Sequence, residues 1–138
     1  MERIYDSLVR EHLEQNRQIA LISGPRQVGK TTSSRAGAGD HAYYSWDRQS
    51  DRSLIIRGAD AVAEDLGLDA LQSTARHVVF DEIHKYRTWR SFLKGFFDVY
   101  SDRTRLVVTG SARLSHFRRG GDSLMGRYFL YRMHPLSV

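Results

Sequence analysis

Residues 24–31, Gly-Pro-Arg-Gln-Val-Gly-Lys-Thr, constrain the fold of this chain more than any other stretch. They fit the pattern G-x-x-x-x-G-K-[ST], a phosphate-binding loop that joins a buried strand to a helix. Gly24 and Gly29 let the backbone bend so that its N–H groups point at phosphate oxygens, and the positive end of the following helix favours an anion. Lys30 brings a charge to the β- and γ-phosphates, and Thr31 offers a hydroxyl to Mg²⁺.

The context of this loop tests the motif. Residues 19–22 form an apolar run of the length of a buried strand, as the pattern requires. Residues 30–36 predict a helix, but a weak one, because Ser33 and Ser34 favour helices poorly and glycines follow at once. The alternative, a surface turn with an incidental lysine, does not explain the preceding strand. The predicted nucleotide-binding residues are Gly24, Pro25, Arg26, Gln27, Val28, Gly29, Lys30, Thr31 and Thr32.

The remainder of the chain alternates between strand and helix patterns, without repeats or linkers. Strands are predicted over residues 19–23, 42–46, 78–80, 105–109 and 128–131. Helices are predicted over residues 3–16, 50–57, 60–75 and 89–100. This alternation predicts an α/β P-loop NTPase fold: one domain over residues 1–138, with a five-stranded parallel sheet and helices on both faces. Ligands of such sheets lie beyond the carboxyl ends of the strands.

The composition limits the classes of function. The chain has no cysteine, which excludes disulfides and thiolate metal sites. No apolar run approaches the length of a membrane span, and residues 1–6 lack the apolar core of a signal peptide, so we expect a cytoplasmic protein. The net charge of +5 permits nucleic-acid binding but does not show it, since an arginine bias also arises from codon usage.

Two adjacent carboxylates, Asp81 and Glu82, follow the apolar run of residues 78–80. At the carboxyl end of a strand they would divide two tasks, with Asp81 holding Mg²⁺ and Glu82 accepting a proton from the water that attacks the γ-phosphate. The alternative is that both acids merely begin a helix, where negative charge is favoured. Their position about fifty residues after a phosphate-binding loop favours the metal and base roles.

The run of residues 106–108 ends in Thr109, Gly110 and Ser111. A hydroxyl at this strand end would orient the attacking water or contact the γ-phosphate, with Ser111 as the first choice and Thr109 as the second. The same three residues also make an ordinary turn.

Together these motifs resemble the AAA+ branch of P-loop ATPases, and more narrowly a family of prokaryotic AAA-type ATPases. The resemblance rests on Gly24 to Thr32, on Phe80 to Lys85 with Trp89, on Thr109 to Ser111, on Gly126-Arg127 and on Pro135 to Ser137. It implies ATP as substrate and Mg²⁺ as cofactor. The resemblance also implies that relatives of this kind continue into a helical lid and a further domain, and we expect residues 1–138 to correspond to the ATPase core without them.

An arginine donated across a subunit contact stabilises charge on a transferring phosphate, and Arg113 and Arg127 are candidates for this role. The alternative for each is a solvated surface arginine. Arg26 is expected to face solvent or a partner, and Asp47 ends a strand near the metal region. The predicted catalytic residues are Glu82, Lys30, Ser111 and Arg127; the predicted metal ligands are Thr31 and Asp81.

Two functions of different classes follow. The first is an ATPase module that hydrolyses ATP, in a homo-oligomer or with a DNA or protein client. The second is a nucleotide-gated DNA- or protein-binding module with little turnover. A shortened relative that keeps the sheet but lacks a competent oligomer is a third reading.

Overall fold

A computed structural model of the protein describes residues 4–24, 30–68, 74–111 and 124–133. Its strands form one five-stranded sheet in the order β2-β3-β4-β1-β5, and all neighbouring strands run parallel. The strands are β1 (Ile19–Ser23), β2 (His41–Ser45), β3 (Arg76–Asp81), β4 (Thr104–Gly110) and β5 (Tyr128–Arg132). The predicted parallel sheet is therefore confirmed, and each predicted strand lies within about two residues of its observed bounds.

Helices cover both faces of the sheet, as predicted. They are α1 (Ile4–Gln15), α2 (Lys30–Ala38), α3 (Gln49–Arg57), α4 (Ala59–Leu66) and α5 (Trp89–Tyr100), with a 3₁₀ turn at Ile83–Lys85. Buried residues of α1 and α2 pack on one face of the sheet, and those of α3, α4 and α5 pack on the other. In the part of the chain that the structure describes, no helix is long and apolar enough to cross a membrane.

The helix predicted over residues 60–75 is too long. It ends at Leu66 because Gly67 adopts a left-handed conformation with φ 74°. The N–H of Gly67 donates to the carbonyl of Glu64 and the N–H of Leu68 to that of Ala63, which satisfies the last carbonyls of the helix. Residues 69–73 lie outside the described part of the chain.

The face under α3, α4 and α5 is filled by large side chains. Phe80 of β3 is fully buried, and its ring meets those of Phe92 and Phe96 edge to face, with centroids 5.6 and 5.9 Å apart. Aromatic contacts of this geometry add to the stabilisation from apolar burial. The helix predicted over residues 89–100 is confirmed as α5, and its buried residues recur at helical spacing.

The opposite face is packed by small residues. A Cβ added at Gly37 would lie 2.5 Å from the backbone oxygen of Asp6 and 2.6 Å from Cβ of Val9, so α2 and α1 are in backbone contact there. Ser33 and Ser34 are buried, with relative exposures of 1% and 0%. The weak helix predicted after the loop is thus confirmed and extends to Ala38, because small residues allow it to pack closely on α1.

The strand register brings the polar strand ends together. Asp81 at the end of β3 pairs with Ser45 of β2 and with Thr109 of β4. Side chains alternate between faces along a strand, and Val79 and Val107 pack on the α1 and α2 face. Asp81 and Thr109, each two residues further on, therefore face the same side as α2.

Candidate active site

Asp81 is the centre of the candidate site. Its carboxylate is largely buried, with 9% of the residue exposed, and it accepts hydrogen bonds from three hydroxyl groups. Thr31, in the first turn of α2, donates to Oδ1 over 3.0 Å, and Thr109 donates to the same oxygen. Tyr43 of β2 donates to Oδ2 over 2.5 Å. These three donors hold the carboxylate in one orientation, and a carboxylate oxygen is a ligand of the kind that hard cations prefer.

The ends of the phosphate-binding motif lie close together. Nζ of Lys30 donates to the backbone oxygen of Gly24 over 2.9 Å, and Lys30 is 8% exposed. The ammonium group is therefore held at the mouth of the loop, where α2 begins. Thr32, on the same turn of α2, is exposed. Residues 25–29, which include the predicted binding residues Pro25, Arg26, Gln27, Val28 and Gly29, lie outside the described part of the chain.

Glu82 has an unusual backbone. With φ 61° and ψ 25°, it is the single residue other than glycine with a positive φ among those described. Its N–H donates to the carbonyl of Thr109 over 3.0 Å. Left-handed backbone at a residue with a Cβ costs on the order of 1–3 kcal/mol and is often found at functional sites. Glu82 directly precedes the 3₁₀ turn at Ile83–Lys85 and makes no side-chain capping bond there, so a capping side chain does not account for its left-handed backbone.

His84 contacts the carboxylate of Glu82. The distance between Nδ1 of His84 and Oε2 of Glu82 is 3.3 Å, and the histidine side chain is 9% exposed. His77, at the other end of β3, has a different kind of partner, since its Nδ1 contacts the carbonyl of Ala38. His84 instead faces the predicted general base.

The phenol of Tyr43 is shielded and tied to Asp81. Burial is the largest cause that raises the pKa of Tyr43 to about 12, followed by its hydrogen bond to Asp81. The phenol therefore keeps its proton, and remains a donor to the carboxylate, throughout the pH range in which the chain would work.

Two other residues named from the sequence, Ser111 and Asp47, belong to the described part of the chain. Ser111 directly follows β4 and is partly exposed, at the same sheet edge as Asp81. Asp47, two residues after β2, pairs at the surface with Lys85, 2.8 Å away. Arg113 lies outside the described residues.

Arg127 lies at the opposite edge of the sheet. Its carbonyl accepts from the N–H of Ile19, at the amino end of β1. Its guanidinium binds both carboxylate oxygens of Asp98 on α5, over 2.7 and 3.3 Å, which lowers the pKa of Asp98. The structure does not bring Arg127 to Asp81 of the same chain, so its predicted catalytic role applies only across a subunit contact.

The residues at Asp81 fit a magnesium ion by their chemistry. A carboxylate and a hydroxyl in direct contact, Asp81 and Thr31, are the hard oxygen ligands that Mg²⁺ prefers. The described residues contain no group of three or more His, Cys, Asp or Glu side chains that would hold a metal alone. Such a sparse donor set matches a cation bound jointly with substrate phosphates.

The sequence matches a known family over most of its length. A family profile described as AAA domain matches residues 16–138. The chain belongs to the AAA domain family. This AAA domain has no significant match among curated proteins.

A solved structure resembles this AAA domain in fold. It is that of C. elegans PCH-2, with a TM-score of 0.52 and 16% sequence identity, covering 94% of this chain. The AAA domain spans only 39% of the PCH-2 chain, so the likeness concerns the fold alone. The predicted resemblance to AAA+ proteins is confirmed at the level of the family, and the narrower prokaryotic group stays a prediction.

Sequence reasoning missed Tyr43 and Arg35. The guanidinium carbon of Arg35 lies 4.0 Å from the ring centroid of Tyr43, so that α2 contacts both Asp81 and the tyrosine that binds it. Finding them required the order of strands, because only the pairing of β2 with β3 places Tyr43 beside Asp81.

Proposed function

We propose that this AAA domain binds ATP with Mg²⁺ and hydrolyses it to ADP and phosphate. The observation that carries the proposal is the 3.0 Å contact between Thr31, the last residue of the phosphate-binding motif, and Asp81, 50 residues later. These are the two residues whose types and positions predict metal binding. Membership of the AAA domain family supports a nucleotide-binding ATPase module.

Lys30 and the start of α2 would bind the phosphates. In the structure the ammonium group of Lys30 is paired with the carbonyl of Gly24, at the mouth of the loop. A triphosphate bound there exchanges that neutral acceptor for charged phosphate oxygens, which form stronger hydrogen bonds with an ammonium group. The positive end of α2 favours the same anion.

Thr31 and Asp81 would hold Mg²⁺. When bound, the ion neutralises charge on the β- and γ-phosphates and favours departure of ADP. Thr109, buried and hydrogen bonded to Asp81, fixes the carboxylate from the side of β4.

Glu82 is proposed as the general base. It would accept a proton from the water whose oxygen attacks the γ-phosphorus, while the bond from that phosphorus to the β–γ bridging oxygen breaks and ADP leaves. The carboxylates of these adjacent residues have different partners, since Glu82 contacts His84 whereas Asp81 accepts from Thr31, Thr109 and Tyr43. Ser111, at the end of β4, would orient the same water.

Two variants separate binding from turnover. We expect Lys30→Ala to abolish binding of a fluorescent ATP analogue, and Glu82→Gln to preserve binding within about twofold while phosphate release falls by about 10²-fold or more. Glu64→Gln is the matched control, since Glu64 is exposed on α4, on the opposite face of the sheet from α2. Phosphate release at the wild-type rate by Glu82→Gln removes this residue from the base role, and a wild-type chain that binds no ATP refutes the proposal.

A second candidate, a nucleotide-gated DNA-binding module with little turnover, is favoured by the net charge of +5. It predicts that the chain binds DNA with an affinity that falls steeply with salt concentration. Absence of DNA binding at low salt, with or without ATP, would count against it.

Assembly is part of the same proposal. Arg127 would serve the site of a neighbouring copy in a homo-oligomer, since it lies far along the sheet from Asp81 of its own chain. If so, phosphate release per chain rises with protein concentration and Arg127→Ala removes the rise; a rate per chain independent of concentration excludes this role. That residues 1–138 form one ATPase core and act in the cytoplasm remain predictions of the same kind.

A further inference from the structure

The two carboxylate oxygens of Asp81 have separate partners. Oδ1 accepts from Thr31 at 3.0 Å and from Thr109, whereas Oδ2 accepts from the hydroxyl of Tyr43 at 2.5 Å. Tyr43 belongs to β2, the edge strand next to β3, and it reaches Asp81 because both side chains lie on the α2 face of the sheet.

Tyr43 is itself held in place from α2. The guanidinium carbon of Arg35 lies 4.0 Å from the centroid of the Tyr43 ring, in the range of a cation–π contact. Nε of Arg35 also donates to Nε2 of His41, at the start of β2, over 3.1 Å. Arg35 follows Thr31 by four residues, so one side of α2 contacts Asp81 directly through Thr31 and indirectly through Tyr43.

We propose that Tyr43 is a positioning residue of the metal site: its hydroxyl holds Oδ2 of Asp81 so that Oδ1 stays directed at Thr31. This inference rests on the proposed function and adds a residue to it that neither the motifs nor the family assign. Groups that orient a ligating carboxylate typically change metal affinity or activity by about 10–100-fold when removed.

Tyr43→Phe deletes the hydroxyl and keeps the ring. The probe is Mn²⁺, titrated by electron paramagnetic resonance in the presence of adenylyl imidodiphosphate, an ATP analogue that is not hydrolysed. We expect the Mn²⁺ dissociation constant to rise about tenfold. The affinity for the same nucleotide in EDTA should stay within about twofold, because Tyr43 contacts the carboxylate and not the phosphate-binding motif.

Tyr44→Phe is the matched control. Tyr44, the next residue of β2, donates to Oδ2 of Asp65 over 2.6 Å on the opposite face of the sheet. The same group is lost from the same kind of tyrosine–aspartate pair, and we expect no change in Mn²⁺ affinity. A second variant, Arg35→Leu, removes the cation from the Tyr43 ring and should weaken Mn²⁺ binding about threefold, so the idea stays testable if Tyr43→Phe fails to fold.

The outcomes are distinct. A Mn²⁺ affinity of Tyr43→Phe equal to that of the wild type overturns the positioning role and leaves the proposed function standing. Equal losses in Tyr43→Phe and Tyr44→Phe also overturn it, since they report general loosening of β2. A wild-type chain that binds the nucleotide in EDTA but no Mn²⁺ with it overturns the proposed metal site and the role of Tyr43 together.

Discussion

The two faces of the sheet hold their helices by different means. On the face of α3, α4 and α5, contacts are made by large side chains such as Phe80, Phe92 and Phe96, which fill the space between sheet and helix. On the other face, Gly37 allows α2 to meet the backbone of α1, and Ser33 and Ser34 are buried beside it. One face is held by large side chains that fill the space beneath its helices. The other is held by small residues that allow two helices to approach closely.

This difference bears on the candidate site, because α2 carries Lys30 and Thr31. A helix held by a deep layer of side chains can shift as those side chains repack, whereas a backbone contact leaves little room for adjustment. The close approach at Gly37 therefore restrains α2, the helix whose first turn carries Thr31. We infer that small changes on this face alter nucleotide binding, whereas changes on the aromatic face alter stability alone.

The largest effect on stability is expected from Phe96→Ala on the aromatic face. Phe96 is fully buried and contacts the rings of Phe80, Phe92 and Tyr100. The cavity should lower the free energy of unfolding by about 3–5 kcal/mol, measured by urea denaturation. Val99→Ala, at a position 56% exposed on the same helix, is the control and should change it by less than about 0.5 kcal/mol. If Phe96→Ala lowers the free energy of unfolding by less than about 1 kcal/mol, the large side chains do not account for the stability of this face.

The second prediction compares the same glycine-to-alanine substitution on the two faces of the sheet. Gly37→Ala places a methyl group 2.5 Å from a backbone oxygen of α1 and should cost about 1–3 kcal/mol of unfolding free energy. Gly95→Ala, in α5, meets nothing within 4 Å and should stabilise the fold by about 0.5–1 kcal/mol, because alanine favours helices. We also expect weaker binding of an ATP analogue to Gly37→Ala only. Changes of the same sign in both variants would contradict the contrast between the faces.

A smaller effect concerns pH and the packing of α1. His12 is 2% exposed and contacts the hydroxyl of Tyr131 and the carbonyl of Gln18. Burial lowers the pKa of His12 below its ordinary value, although the bond to Gln18 opposes the shift. The unfolded chain then binds more protons, so stability is full above about pH 6.5 and falls as the pH drops towards the lowered pKa.

The slope below about pH 6.5 should stay under about 1.4 kcal/mol per pH unit, the value for one proton. Urea denaturation of the wild type and of His12→Gln between pH 7.5 and 5.5 measures it. The variant is less stable throughout and should have a shallower slope. Equal slopes in the two proteins would show that burial of His12 does not couple to folding.

The two faces also differ in how far the sequence predicts them. The apolar spacing along α5 indicates its buried side directly, because large residues recur at helical intervals. The burial of Ser33, Ser34 and Gly37 could not be predicted, since small residues signal weak helix propensity in the sequence and close packing only in the structure. In α2, close packing against α1 outweighs the low helix propensity of these residues.

The candidate site, too, contains contacts that the sequence predicts and contacts that it does not. The contact of Thr31 with Asp81 could be predicted, because each residue belongs to a motif at the carboxyl end of a strand. Parallel strands place their carboxyl ends at the same edge of the sheet. Tyr43 belongs to no motif, and its contact depends on the order of strands and on the face that each residue occupies. The contact of His84 with Glu82 depends on the left-handed backbone of Glu82, which nothing in the residue types indicates.

The smallest expected effect tests whether the α2 face tolerates polar groups only because they are small. Ser34 is fully buried, and its hydroxyl has no hydrogen-bond partner among the described residues. Burying an unpaired hydroxyl is unfavourable and alanine is the better helix former, so Ser34→Ala should raise the free energy of unfolding by about 0.5–1 kcal/mol. Ser53→Ala, whose exposed hydroxyl bonds the carbonyl of Gln49 on α3, is the control and should change stability less. If Ser34→Ala destabilises the fold, the hydroxyl itself holds α2, and contact distance is not the only thing that positions Thr31.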